Sequence, residues 1–130
     1  MARILLIEAD RVLAANLQAF LKTAGHQTEL YVDPQVAMDA IDKKKSDLLI
    51  LDLLLAGRSG VEFLYELRSY PDWQKLPVIV FSSVSNRELG QSAPDALEQL
   101  DIAAYLYKSE TNLSQLAAAV KQALQPASVR

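Results

Sequence analysis

The chain has no cysteine, which removes disulfides, thiol chemistry and cysteine zinc sites together and fits a reducing compartment. Its one histidine, His26, follows Gly25 in a turn with no acid or cysteine beside it, so it reads as a turn residue rather than a ligand. No apolar segment approaches membrane-spanning length, and Met1-Ala2-Arg3 runs straight into an apolar stretch without a signal-peptide core. A cytoplasmic protein with no membrane partner is expected. Positive charge is not in excess either, with 13 Lys and Arg against 16 Asp and Glu for a net −3, so nucleic-acid binding by this domain is not expected. There is no internal repeat and no low-complexity tract. No glycine-rich phosphate loop follows the first apolar run, which counts against a nucleotide or flavin enzyme. Ser82, Ser83 and Ser85 lack the Gly-x-Ser-x-Gly elbow of a serine hydrolase.

What is present is a 130-residue chain, 51% hydrophobic and 22% charged, the size and balance of one packed domain. The rest of it is organised around residues 46–60, SDLLILDLLLAGRSG. An unbroken apolar run at 48–51 ends on Asp52. A run without alternation suits a strand buried on both faces, and such strands belong to parallel sheets whose ligands sit at the carboxyl ends. An acid at that end must be solvated, capped or paired, because an unpaired buried charge costs several kcal/mol. Taken alone, Asp52 could equally be a cap for the next loop.

The same grammar repeats along the chain. Residues 4–7 form a first strand ended by Glu8; Asp10 caps a helix carrying Val12, Leu13, Leu17, Phe20 and Leu21 that Gly25 stops. Residues 28–32 read as a second strand. Asp33 and Pro34 then start a helix with Val36, Ala37, Ala40 and Ile41 on one face, closed by the solvated cations Lys43, Lys44 and Lys45. Gly60 starts a third helix carrying Val61, Phe63, Leu64 and Leu67, and Pro71 ends it. Trp73, between Pro71 and Pro77, reads as a loop anchor. Residues 78–81 form a fourth strand that stops at Ser82. Residues 87–99, with Gly90 and Pro94 inside, read as a loop followed by a short helix at about 95–100. Residues 102–107 give a fifth strand ending in Lys108, and Thr111 or Asn112 caps a last helix carrying Leu113, Leu116, Val120 and Leu124. Pro126 ends the fold, making residues 1–124 one domain and 125–130 a tail.

Strands alternating with helices at this spacing imply a doubly wound parallel α/β sheet with helices on both faces. Its carboxyl rim would receive Glu8, Asp52, Ser82 and Lys108 from four different strands. The two acids suit a hard cation, and the hydroxyl and ammonium can hold phosphoryl oxygens. Each has a plainer reading: Lys108 as a solvated strand end, Ser82 as a turn residue and Tyr105 as a core aromatic.

Taken together these residues resemble the receiver domain of bacterial two-component response regulators, CheY-like, over roughly residues 3–124. The resemblance implies a flavodoxin-like five-stranded sheet of order 2-1-3-4-5. It implies a stand-alone signalling module rather than an enzyme, whose Asp52 accepts a phosphoryl group from a histidine kinase or phosphotransfer protein. Ser82 takes the place of the switch hydroxyl, Lys108 of the family's lysine and Tyr105 of the switch aromatic. Mg2+ would be held by Glu8, Asp52 and the backbone carbonyl of Leu54, and a downstream protein would be met by the face made by the fourth helix region, fifth strand and last helix. Self-association as a homodimer is left open.

Three positions and one interval depart from that pattern. Ala9 stands where the family's second adjacent acid binds magnesium directly, leaving Asp10, one residue further on, as a substitute ligand. The resemblance therefore implies a weakened or absent Mg2+ site. Ala56 and Ser109 replace usual prolines, and the interval from Ser82 to Lys108 is a few residues longer than usual. The alternative reading is a pseudo-receiver, a protein-interaction module that works without phosphorylation.

Overall fold

A computed structural model describes residues 2–55, 58–93 and 95–125. Ala56, Gly57 and Pro94, and the tail from Pro126 onward, lie outside the described residues. The elements are β1 (Arg3–Ile7), α1 (Arg11–Thr23), β2 (Gln27–Tyr31), α2 (Pro34–Lys43), β3 (Leu48–Leu51), β4 (Leu54–Leu55), β5 (Arg58–Ser59), α3 (Gly60–Ser69), β6 (Val78–Ser82), α4 (Asn86–Ser92), α5 (Ala96–Gln99), β7 (Ala104–Tyr107) and α6 (Leu113–Ala123). The main sheet has the order β2-β1-β3-β6-β7, all parallel, which is the order 2-1-3-4-5 once the small antiparallel pair β4-β5 is set aside.

The central strands are apolar throughout because both faces are covered. Leu5, Ile7, Leu49, Leu51, Val78 and Val80 face Ala37, Met38 and Ile41 of α2 and Phe63, Leu64 and Leu67 of α3. The alternate residues Ile4, Leu6, Leu48, Ile50, Ile79 and Phe81 face Leu17 and Leu21 of α1 and Leu116 and Val120 of α6. Each such fully buried Leu, Ile or Phe contributes about 1.5–3 kcal/mol. Helix starts follow side-chain chemistry: Asp10, Asp33, Ser59 and Asn112 accept from the first free N–H groups of α1, α2, α3 and α6. Gly25 turns the chain after α1 at φ +91, a conformation that suits glycine.

Several expectations are corrected. Residues 86–92 are helical, not a loop: Ser85 and Glu88 form a capping box that starts α4 and outweighs Gly90. Leu54 and Arg58 belong to the small hairpin β4-β5 after the third strand. The second strand begins at Gln27 and the fifth at Ala104. Val12, Val36 and Leu113, read as apolar positions at helical spacing, are 74%, 49% and 45% exposed. Val12 and Val36 lie on the side of their helices opposite the buried Ala14, Leu17 and Leu21 of α1 and Ala37, Met38 and Ile41 of α2, and Leu113 is the first residue of α6.

Candidate functional site

Strand register builds the site before any side chain is considered. Ile7 pairs with Leu51, so the next residues, Glu8 and Asp52, leave the sheet side by side. The Asp52 amide donates to the Ile7 carbonyl at 3.0 Å, and the Glu8 amide to the Tyr31 carbonyl at 3.1 Å. Ser82 pairs with Tyr107, which puts Lys108 immediately beyond it on the neighbouring strand. Gly60 lets α3 start against this rim, since a Cβ there would stand 2.6 Å from the Leu53 Cα and 2.7 Å from the Asp52 carbonyl oxygen.

Asp52 is 5% exposed and accepts three hydrogen bonds. Its Oδ1 receives the Ser82 hydroxyl at 2.8 Å and the Leu54 amide at 3.0 Å. Its Oδ2 receives the Lys108 ammonium at 2.7 Å. The same ammonium lies 2.8 Å from Glu8 Oε1 and over the Phe81 ring, 5.8 Å from its centre. Glu8 is 4% exposed, and its Oε2 takes the Asp10 amide at 3.1 Å. Ser82 is fully buried and also accepts the Val84 amide at 3.1 Å. Tyr105 donates its hydroxyl to the Val84 carbonyl at 2.6 Å, tying β7 to the chain that leaves β6.

Burial raises the Asp52 carboxyl, but the donors Lys108, Leu54 and Ser82 outweigh it and hold the group below its ordinary value. Glu8 goes the other way: burial pushes it up, and Lys108 and the Asp10 amide only partly offset this. Lys108 is pulled down by burial and raised further by its two acids, so it stays charged. Burial, with Glu88 and Asp52 nearby, pushes the Tyr105 phenol up to about 12. The rim therefore presents an ionised, hydrogen-bonded Asp52 carboxylate, an ammonium and a hydroxyl within one small volume. That set can act as a nucleophile with two donors for a tetrahedral anion.

Glu8, Asp52, Ser82 and Lys108 meet, and Tyr105 reaches them through Val84. Asp10 does not join them; its Oδ1 accepts from the Val12 and Leu13 amides, both at 3.1 Å, and serves the α1 start. Leu54 contributes its amide to Asp52 and turns a side chain 56% exposed to solvent. His26 Nδ1 accepts the Ala2 amide at 3.2 Å, far along the fold at the opposite edge of the sheet. Trp73 lies in a 3-10 turn, Pro71–Trp73, edge-on to Tyr70 at 5.0 Å. Sequence reading missed Gly60 and the Val84 carbonyl as parts of the site; the Ser-x-x-Glu pattern at 85–88, fixing where β6 hands over to α4, was the available signal for the second.

The donor set does not fit a divalent cation. Among the described residues no group of three or more His, Cys, Asp or Glu stands together as metal ligands. Ala9 has no donor, Asp10 is engaged elsewhere, and the ammonium of Lys108 already bridges the two acids. Mg2+ asks for near-octahedral oxygens at about 2.0–2.1 Å.

The profile of the response regulator receiver domain family matches residues 4–121. The response regulator MprA of Mycolicibacterium vanbaalenii is 34% identical over an alignment of 109 residues that covers 75% of this chain and 46% of that protein. The chain thus spans less than half the length of this curated relative. A two-component response regulator from Clostridium difficile superposes with a TM-score of 0.81 at 27% identity, covering 95% of this chain and 96% of the other. The Mn2+-bound form of the response regulator Rcp1 gives 0.74 at 26% identity, covering 92% and 89%. No helix among the described residues is long and apolar enough to cross a membrane.

Proposed function

The chain belongs to the response regulator receiver domain family, and on that premise we propose that Asp52 is its phosphoacceptor, supplied by a phosphohistidine on a histidine kinase or phosphotransfer protein. The observation that carries the reading is the convergence of Lys108 and Ser82 on the two oxygens of one ionised carboxylate. In the transfer an Asp52 oxygen forms the new P–O bond as the donor's P–N bond breaks, and the bonding pair leaves with the imidazole nitrogen. Lys108 and Ser82 donate to oxygens on either side of the acceptor, where charge accumulates.

The product adds close to two negative charges and three acceptor oxygens beside those donors. Ser82 is then drawn to the phosphoryl group, and the Val84 segment moves with it because Val84 is bonded to both Ser82 and Tyr105. The surface so changed is that of α4, β7 and α6, which a downstream protein would read. Rcp1 binds Mn2+; here the acids meet an ammonium instead, and no step above runs through a metal.

Intact-mass measurement after incubation with a small phosphodonor tests the reading. Wild type should gain one phosphoryl group and Asp52→Asn none. An unmodified wild type, or an adduct that persists in the variant, refutes it. One observation favours a second reading: Asp52, Glu8, Ser82 and Tyr105 are all hydrogen-bonded before any phosphoryl group arrives. A rim satisfied in this way suits a phosphorylation-independent interaction module, and an unmodified wild type would select it.

A further inference from the structure

We infer that the ammonium of Lys108 is the resident cation of this rim, standing between Glu8 and Asp52 where a divalent ion would otherwise be required, so that the site neither needs nor retains Mg2+. The inference concerns the rim assigned above to phosphoryl acceptance, and its test separates the two.

Three features of the geometry converge. Lys108 Nζ lies 2.7 Å from Asp52 Oδ2 and 2.8 Å from Glu8 Oε1, within charge-assisted hydrogen-bond range of both. Glu8 is one methylene longer than an aspartate, and this reach lets Oε1 meet the ammonium while Oε2 takes the Asp10 amide at 3.1 Å. The third carboxylate that would favour a dication is missing, because position 9 is alanine and Asp10 Oδ1 is bonded to the Val12 and Leu13 amides.

A dication approaching the same two oxygens would face the ammonium at a few ångströms, and like charges repel strongly at that separation in a part-buried site. Entry therefore requires Lys108 to leave, which exposes a long side chain already packed over the Phe81 ring. The resident ammonium supplies charge neutralisation without a desolvated metal. It also donates directly to Asp52, the residue assigned above to phosphoryl acceptance.

The test uses the whole chain, with MgCl2 or EDTA as the only variable. Titration calorimetry on wild type should show no saturable Mg2+ binding below about 10 mM, and about 10 mM Mg2+ should move the melting temperature by less than about 1 °C. Lys108→Ala removes the ammonium and leaves two acids facing each other. In that variant Mg2+ should raise the melting temperature by about 5 °C, the response of a sub-millimolar site. Lys108→Ala that folds only with Mg2+ supports the inference equally. Saturable wild-type binding below about 1 mM overturns it whether or not the variant folds, as does a folded Lys108→Ala indifferent to Mg2+. Phosphodonor incubation in the two buffers then parts the readings. An adduct formed only with Mg2+ overturns this inference and leaves Asp52 as acceptor, whereas no adduct in either buffer removes the acceptor and leaves the cation assignment to the titration.

Discussion

At the amino-terminal edge of the sheet the Arg3 guanidinium is buried, donating to the Lys44 and Lys45 carbonyls at 2.8 and 3.0 Å, to Ser46 Oγ at 2.9 Å and to Glu29 at 2.8 Å. At the carboxyl-terminal edge the Lys108 ammonium is held between two carboxylates. Both edges place a cation among acceptors, yet only one has the makings of a reactive site. Arg3 divides its donors between the Lys44 and Lys45 carbonyls and the Ser46 and Glu29 side chains, tying three segments of chain together with a planar fork. Arg68 repeats the device, tying the Trp73, Leu100 and Asp101 carbonyls together at 2.7, 2.9 and 3.2 Å. The Lys108 rim is made of side chains whose charge can change and which Tyr105 links to a loop. Buried charge marks a staple where it ties carbonyls of separate segments together, and a candidate site where an ammonium and a hydroxyl converge on one carboxylate.

Substitutions at the two edges should sharpen this contrast. The largest stability loss is expected from Arg3→Ala, about 2–4 kcal/mol in chemical denaturation, because two carbonyls, Ser46 and Glu29 lose their donor. Phosphoryl uptake by the folded variant should be unchanged; a matching loss of uptake would break the contrast. Gly60→Ala should cost about 1–3 kcal/mol, since the new Cβ meets main chain at Leu53 and Asp52. Unlike Arg3→Ala it should also depress phosphoryl uptake, because the backbone that must give way is that of Asp52, the acceptor proposed above.

The smallest effect belongs to Glu8→Gln. Burial holds the Glu8 carboxyl above its ordinary value of 4.5, so the folded chain binds that proton more tightly than the unfolded one. Its contribution is therefore fully present below about pH 4.5 and is lost as pH rises through the folded value. Asp52, held low, slopes oppositely: its contribution is present above about pH 3.8 and is lost as pH falls through its folded value. Urea denaturation from pH 3 to 7 should show the fall above about 4.5 in wild type and not in Glu8→Gln, with stabilities at pH 7 within about 1 kcal/mol.

The strands of the sheet were legible because both faces are buried, so residues 4–7, 48–51 and 78–81 read as continuous apolar runs with no helical period. Glu8, Asp52 and Lys108 were legible for the related reason that each interrupts such a run at its carboxyl end. Helix α4 was hidden by composition: Gly90 and Pro94 dilute the periodicity, and the start signal is a two-residue hydrogen-bond exchange between Ser85 and Glu88. Val12 misled because it is apolar yet lies on the side of α1 opposite the buried Ala14, Leu17 and Leu21, so an apolar residue within a helix need not belong to its buried face.

By itself the sequence determined the alternation of elements, hence a parallel sheet, and the rim to which its acids, hydroxyl and lysine are delivered. Apolar runs and turn residues act over a few neighbours, and a single chain carries that information in order. Tertiary structure alone decided which of those groups pair. Strand register set Glu8 beside Asp52, the length of the Lys108 side chain let one ammonium span both, and the α1 start claimed Asp10. Those are distances of a few ångströms between residues up to 100 positions apart, fixed only when the strands lie side by side.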